Sequence, residues 1–237
     1  MNLSNQVVVI TGASDGLGKA LALRLMKEQV KLALLARSED KLKLLQEEIV
    51  SQGGQAEYVV CDITQVEQIQ NAVSQVKEQF GTIDILVNNA GIWTAGTLEQ
   101  HSVEKIKQLF TTNTLGTIFT TKEVLPLMKE HKSGQILNVI SVAGIEEVAS
   151  YGLVYVATKH ALQGFTDTLK QELQGSAIKV MGFYPGGMAT NIFQAAGISA
   201  VDSNQMMKVE DIAEILTFVL KQPKDVVIDH FEVRKFM

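Results

Sequence analysis

The sequence predicts a single doubly wound α/β domain, a parallel sheet of about seven strands with helices on both faces. Three observations point there. Short β-branched apolar runs alternate with longer stretches of helical periodicity from end to end. The first six runs are near-continuously apolar, as expected of strands covered on both faces. No linker, charge block, low-complexity segment or repeat interrupts the 237 residues, a length that suits one such domain. Right-handed crossovers between parallel strands then wind helices onto both sides of the sheet.

In chain order, the expected strands are Gln6–Ile10, Lys31–Ala36, Ala56–Val60, Ile83–Val87, Gly134–Ile140, Ile178–Tyr184 and Val226–Val233. Helical periodicity falls between them, over Leu17–Gln29, Glu39–Gln52, Val66–Phe80, Val103–His131, Tyr151–Gln174 and Val209–Leu220. Gly53-Gly54 suits the stop of the second helix, and Thr64 with Glu67 makes a capping-box pattern before the third. Segment 189–207 mixes glycine, alanine and serine with apolar residues, the make-up of a loop and short helix closing as a substrate lid.

Composition narrows the function. At 46% hydrophobic and 20% charged, the chain is globular rather than disordered. A net charge of −5 without a dense Lys/Arg tract gives no support for binding nucleic acid or an anionic membrane. No apolar stretch approaches the ~20 residues that span a bilayer. The N-terminus runs into VVVITGAS without leader features, so a cytoplasmic protein is expected. Cys61 is the single cysteine, which excludes an internal disulfide and fits a reducing compartment. His101, His131, His160 and His230 are scattered without ligand spacing, and no metal site is expected.

The first strand ends in Thr11-Gly12-Ala13-Ser14-Asp15-Gly16-Leu17-Gly18 and a helix follows at once. A glycine turn between strand and helix lets backbone approach a pyrophosphate, and the N–H groups of the helix start attract the anion. The spacing is G-x-x-x-G-x-G, and three glycines also serve simple backbone punctuation. At the end of the second strand, a carboxylate would bind a ribose 2′-hydroxyl; Ala36 fills that position, and Arg37 and Ser38 follow. A guanidinium suits a 2′-phosphate, which favours NADP(H) over NAD(H). Two features weigh against this: Arg37 can pair with Glu39 or Asp40, and Asp15 brings a negative charge toward the phosphates.

Tyr155 and Lys159, in YVATK, lie one helical turn apart and share a face. An ammonium beside a phenol favours the phenolate and draws its pKa of about 10 downward, toward useful proton transfer. Alone, such a pair is commonly a buried tyrosine with a solvated lysine. Its company is what counts: TGASDGLG at 11–18, NNAG at 88–91, Asn113 in TTNTLG, Ser141 in ISVAG, YVATK at 155–159 and PGGMAT at 185–190. With these motifs in this order, the chain resembles the short-chain dehydrogenase/reductase family nearly end to end.

The resemblance implies a Rossmann fold and an oxidoreductase that moves a hydride between NADP(H) and a small carbonyl or secondary alcohol. An NAD-dependent dehydrogenase and a catalytically silent nucleotide sensor are the alternatives. Tyr155 would be the general acid/base, and Lys159 would tune it and bind the nicotinamide ribose. Ser141 would polarise the carbonyl, and Asn113 would hold a relay water. Gly12, Ser14, Asp15, Gly16, Leu17 and Gly18 would wrap the pyrophosphate and nearby ribose, with Arg37 and Ser38 at the adenosine ribose. Asp62 and Ile63 would meet the adenine, and Asn89, Ala90 and Gly91 the adenine-ribose side. Pro185, Gly186, Met188 and Thr190 would hold the nicotinamide carboxamide. Ser141 precedes Tyr155 by fourteen residues, one more than many relatives have, which leaves their geometry open. The family also implies a homodimer or homotetramer built through the fourth and fifth helices.

In open α/β sheets the ligand sits beyond the carboxyl ends of the strands. Segments 91–96, 142–151 and 189–207 reach that edge, bringing Ile92, Trp93, Ile145, Val148, Ile192, Phe193 and Met206. A modest apolar substrate pocket is expected from them, with Trp93, Ser141, Tyr151 and Phe193 touching substrate; the same residues also suit packing of a lid. Glu146 and Glu147 at its mouth would disfavour strongly anionic substrates. The C-terminus, VVIDHFEVRKFM, lacks a glycine-rich strand end and looks more like the family branch acting on small hydroxy acids and related carbonyls.

Overall fold

The apolar runs pair into one parallel sheet of seven strands in the order β3-β2-β1-β4-β5-β6-β7. The computed structural model describes residues 1–147, 149–197 and 205–236. The strands are β1 (Val7–Thr11), β2 (Lys31–Ala36), β3 (Gln55–Val60), β4 (Ile85–Asn88), β5 (Gly134–Val139), β6 (Ile178–Pro185) and β7 (His230–Val233). The helices are α1 (Gly16–Met26), α2 (Glu39–Ser51), α3 (Val66–Phe80), α4 (Val103–Phe110), α5 (Gly116–Glu130), α6 (Leu153–Glu172), α7 (Ile192–Ala195) and α8 (Val209–Leu220).

Side chains alternate across the pleat, so each strand feeds two apolar layers. Val8, Ile10, Leu32 and Leu34 pack under α1, α2 and α8, through Leu21, Leu25, Leu45, Ile49 and Leu216. Val7, Val9, Ala33 and Leu35 face the other way, onto Ile69 and Val76 of α3, Val124 of α5 and Leu169 of α6. Burial on both faces is what the continuous apolar runs encode.

Four expectations need correction. The edge strand β3 is half-exposed, since its outer side has no neighbour. The last strand shrinks from Val226–Val233 to His230–Val233; Val226 closes a turn on the Pro223 carbonyl and is exposed. Thr64 does not form a capping box. Gln65 is the N-cap of α3, without a side-chain bond, and the turn is instead held by Thr64 N–H donating to Asp62 and Asp62 N–H donating to Gln68. The single long helix Val103–His131 divides into α4 and α5 at a π turn, Thr111–Leu115. Gly53 behaves as expected, ending α2 with φ of 83°.

Candidate active site at the carboxyl edge of the sheet

Strand order reverses between β1 and β4, whose following connections run to opposite sides and open a crevice. The turn from β1 into α1 forms one wall. Gly18 packs so closely that a Cβ there would stand 2.4 Å from the Gly12 carbonyl oxygen and 2.7 Å from Asn89 Nδ2. Gly12, at φ +66°, would place a Cβ 2.9 Å from Ala90 Cα. Thr11 and Asn89 lock this turn to the end of β4. The Thr11 hydroxyl accepts from the N–H groups of Asn89 and Ala90, while Asn89 Nδ2 donates to the carbonyls of Thr11 and Gly12. Leu17 points into the core, which leaves only its backbone for a ligand. Thr190 arches over the helix start, with Cγ2 3.1 Å from where a Gly16 Cβ would be.

Asp15 does not bring a bare charge here. It caps α1, accepting from Gly16 N–H at 2.7 Å, and its other oxygen meets Lys41 Nζ at 2.8 Å. Asn191 also donates to it. The Lys41 hydrogen bond comes first among the causes that hold its carboxyl below the usual range. Neither Lys41 nor Asn191 was singled out from the sequence. Lys41 did carry a signal: a cation in a helix's first turn is misplaced for the helix dipole unless something else claims it.

Ala36 ends β2 buried, and Arg37 and Ser38 follow exposed. Among the described residues Arg37 makes no ion pair, so neither Glu39 nor Asp40 neutralises it. Ser38 is the N-cap of α2 but forms no side-chain cap bond, leaving its hydroxyl unspent. Asp62 gives one carboxylate oxygen to Thr64 N–H. Ile63 packs its side chain against Gly116, so only its main chain faces the crevice.

The second wall carries Ser141, Tyr155 and Lys159. Ser141 follows β5 in a strained conformation, φ 145° and ψ 156°, outside the basins of ordinary residues. Its hydroxyl accepts from Ala143 N–H at 3.1 Å and reaches the Pro185 carbonyl at 3.5 Å. Short 3₁₀ turns at Val142–Gly144 and Ala149–Tyr151 take up the fourteen-residue spacing, and Ser141 lies near enough to Tyr155 to lower its pKa.

Lys159 approaches Tyr155 over the face of its ring. Lys159 Nζ sits 5.6 Å from the Tyr155 ring centroid and donates to the Val139 carbonyl at 3.1 Å. Burial dominates both groups. It pushes the Tyr155 phenol up to about 12, against a smaller lowering by Ser141, and pulls the Lys159 ammonium down to about 7. Tyr155 keeps one partly exposed side on the cleft, whereas Lys159 is 5% exposed.

Asn113 explains the broken helix. It lies in the π turn, fully buried, with Oδ1 accepting from Ile92 N–H at 2.8 Å and Nδ2 donating to the Ile92 carbonyl at 2.9 Å and to Thr158 at 3.1 Å. A π turn shifts the register so that this amide meets a main chain 21 residues away. Beside it, Gly91 would place a Cβ 3.4 Å from Asn113 Oδ1 and 3.8 Å from Lys159 Nζ, so both polar groups flank the same small space.

The rim of the cleft is knit together. Trp93 Nε1 donates to the Tyr151 carbonyl at 2.8 Å and its ring meets Phe193 edge-on at 5.0 Å. Met188 pairs with Met207, packing its side chain on the core, and Gly186 N–H donates to Val233. Glu146 does not project a free charge: Arg234 binds it at 2.6 Å. Glu147 lies 3.6 Å from His160 and is largely exposed. Val148 and residues 198–204 of the expected lid lie outside the described residues. Among the described residues, no cluster of ligating side chains could hold a metal, and no helix is long and apolar enough to cross a membrane.

Residues 6–199 match the family model for short chain dehydrogenases. An uncharacterised oxidoreductase of Staphylococcus aureus (strain MRSA252) is 32% identical over 232 residues, covering 98% of both chains. Among solved structures, the alcohol dehydrogenase of the archaeon Thermococcus sibiricus, complexed with 5-hydroxy-NADP, is 30% identical with a TM-score of 0.89 over 98% of this chain and 97% of that one. A metagenomic short-chain oxidoreductase in complex with NADP is also 30% identical, with a TM-score of 0.86 over the full length of both chains. The sheet order, the glycine turn and these likenesses together make the chain a member of the short-chain dehydrogenase/reductase family, an oxidoreductase family of Rossmann fold.

Proposed function

We propose that the protein is an NADP(H)-dependent oxidoreductase interconverting a small carbonyl compound and a secondary alcohol, and that it works chiefly as a reductase. The observation that carries this reading is the placement of the Ser141 hydroxyl near enough to the Tyr155 phenol to lower its pKa, at the carboxyl edge of the sheet, with Lys159 buried beside them. The residues present fit a dinucleotide: the cradle of Gly12 and Gly18 has no room for side chains, and Arg37 offers an unneutralised guanidinium where a 2′-phosphate would lie. The chemistry such a cofactor supplies when bound is a hydride for the carbonyl carbon. The solved relatives whose names include NADP favour the same cofactor.

In this reading Ser141 and Tyr155 donate hydrogen bonds to the carbonyl oxygen, stabilising charge as it builds there. A phenol held near 12 is protonated at neutral pH, so Tyr155 has the proton to give to the nascent alkoxide. Lys159 then serves the ribose hydroxyls and the proton supply, with the space beside Gly91 and Asn113 as the place for a relay water. Trp93, Tyr151 and Phe193 would wall the apolar substrate, Met188 and Thr190 would steady the carboxamide, and segment 189–207 would close above. Exposed Val103 on α4 and Leu115 beside it suit a homodimer or homotetramer formed through α4 and α5.

Tyr155→Phe tests the proposal. In a carbonyl-panel screen that follows NADPH absorbance, turnover should fall by about 10²–10⁴-fold, while NADPH affinity stays within about twofold. A Phe variant with wild-type turnover would overturn the mechanism.

A further inference from the structure

Three side chains read as the substrate wall, Trp93, Tyr151 and Phe193, come from separate segments, and the structure joins them in one chain of contacts. Phe193 meets Trp93 edge-on; Trp93 Nε1 holds the Tyr151 carbonyl; the Tyr151 hydroxyl donates to Glu146 Oε2 at 3.3 Å. Glu146 Oε1 is taken by Arg234 Nη2 at 2.6 Å, and Arg234 in turn is held by Glu232, at 2.8 Å from Nη2 and 3.2 Å from Nε. Glu232 belongs to β7, a strand of the sheet, and Gly186 N–H donates to its neighbour Val233. The contacts therefore run from the wall to the sheet through one guanidinium. A planar fork that bridges two carboxylates fixes direction as well as distance, which an ammonium cannot do.

We propose that Arg234 is a positioning residue of the active site: by anchoring Glu146 it sets Tyr151 and Trp93, and so fixes the shape of the substrate wall. This rests on the cleft of Trp93, Tyr151 and Phe193 being where substrate binds. Arg234 does not touch the reacting atoms, and toward the cofactor cradle it offers only main chain and the Cγ methylene beside Gly186, not its guanidinium. Its loss should therefore act on substrate binding and leave the dinucleotide alone. The exposed setting of the pair keeps the effect modest and makes it sensitive to salt.

Trp93 is the single tryptophan, so its fluorescence reports on this wall without any substrate being identified. In Arg234→Ala and Glu146→Gln, acrylamide quenching of Trp93 should rise about twofold, and 0.5–1 M NaCl should move the wild type in the same direction. KM for whichever carbonyl the wild type reduces should rise about two- to fivefold, with kcat and NADPH affinity nearly unchanged. Arg234→Lys should restore only part of the quenching protection, and the reversed pair Glu146→Arg/Arg234→Glu should restore more than either single change. Quenching and KM both equal to wild type in Arg234→Ala would overturn the proposal, as would an equal fall in NADPH affinity. If Trp93 responds as expected while no carbonyl is reduced by the wild type, the anchoring stands and the reading of the reaction fails.

Discussion

Replacing Lys159 with methionine should make the cofactor-free protein more stable while removing its activity. Lys159 is 5% exposed, and its one hydrogen bond goes to the Val139 carbonyl. Burial brings its pKa from 10.5 to about 7. At 1.36 kcal/mol per pH unit, that difference corresponds to about 5 kcal/mol of stability withheld while the amine is charged. The Val139 carbonyl and water entering the cleft soften the penalty, so about 2–4 kcal/mol is the expected gain for Lys159→Met at pH 6. The pH dependence is the sharper signature. The unfolded chain keeps the lysine proton up to 10.5, whereas the folded chain releases it above about 7. Between those values the unfolded state binds more protons, so wild-type stability rises with pH, by up to about 1.4 kcal/mol per pH unit. The deficit is present in full below pH 7 and gone above 10.5. Urea unfolding of wild type and variant from pH 6 to 10 measures the difference, in which all other titrations cancel. The two curves should converge toward pH 10. Parallel curves, or a variant less stable at pH 6, would refute the claim that this amine sits uncompensated.

Arg37→Ala should weaken NADPH by about 10- to 100-fold, the worth of a charge-assisted hydrogen bond, and leave NADH within about twofold; equal losses by fluorescence titration would defeat the 2′-phosphate assignment. Gly18→Ala pushes a methyl to 2.4 Å from the Gly12 carbonyl and should cost about 1–3 kcal/mol by overpacking, seen as a lower Tm together with weaker dinucleotide binding; a wild-type Tm would show that the turn yields freely. Asn113→Ala strands both main-chain polar groups of Ile92, and at least about 2 kcal/mol should be lost in urea unfolding; a loss under about 0.5 kcal/mol would mean water replaces the amide at no cost.

What local sequence encodes was legible. The glycine turn, the apolar strands and the shared face of Tyr155 and Lys159 depend on neighbours within a few residues, and the alternation of strand and helix then left one topology. The misses are long-range. Nothing around residue 113 announces a π turn, because its cause is Ile92, 21 residues away. Thr64 and Glu67 have the pattern of a cap, yet Asp62 and Gln68 reach the turn first. The last strand fails at Val226 because it is an edge with one neighbour, β6. The lowering of Tyr155 by Lys159 is an expectation from their spacing alone; desolvation, which the spacing does not contain, raises the phenol, and the smaller lowering comes from Ser141. Arg234 and Glu146, 88 residues apart, left no pattern to read.

Where the chain departs from ordinary backbone geometry separates the work of the two edges of the sheet. Among the described residues, four non-glycine residues have positive φ. Asn5, Gln29 and Lys132, at 65°, 59° and 51°, sit in the left-handed basin that turns commonly use, and they directly precede β1, β2 and β5. They belong to the amino edge and serve chain reversal. Ser141, at 145°, lies outside that basin and follows β5 at the carboxyl edge. A buried lysine and the inserted π turn stand on the same edge. Each costs stability on its own, and together they are held by groups that have no other evident use: Ala143 N–H for Ser141, the Val139 carbonyl for Lys159, the whole amide of Ile92 for Asn113. Strain confined to one edge, beside the crevice where strand order reverses, is the distribution expected when a fold's spare stability is directed to chemistry. It predicts that substitutions relieving it, Lys159→Met first among them, gain stability and lose turnover together.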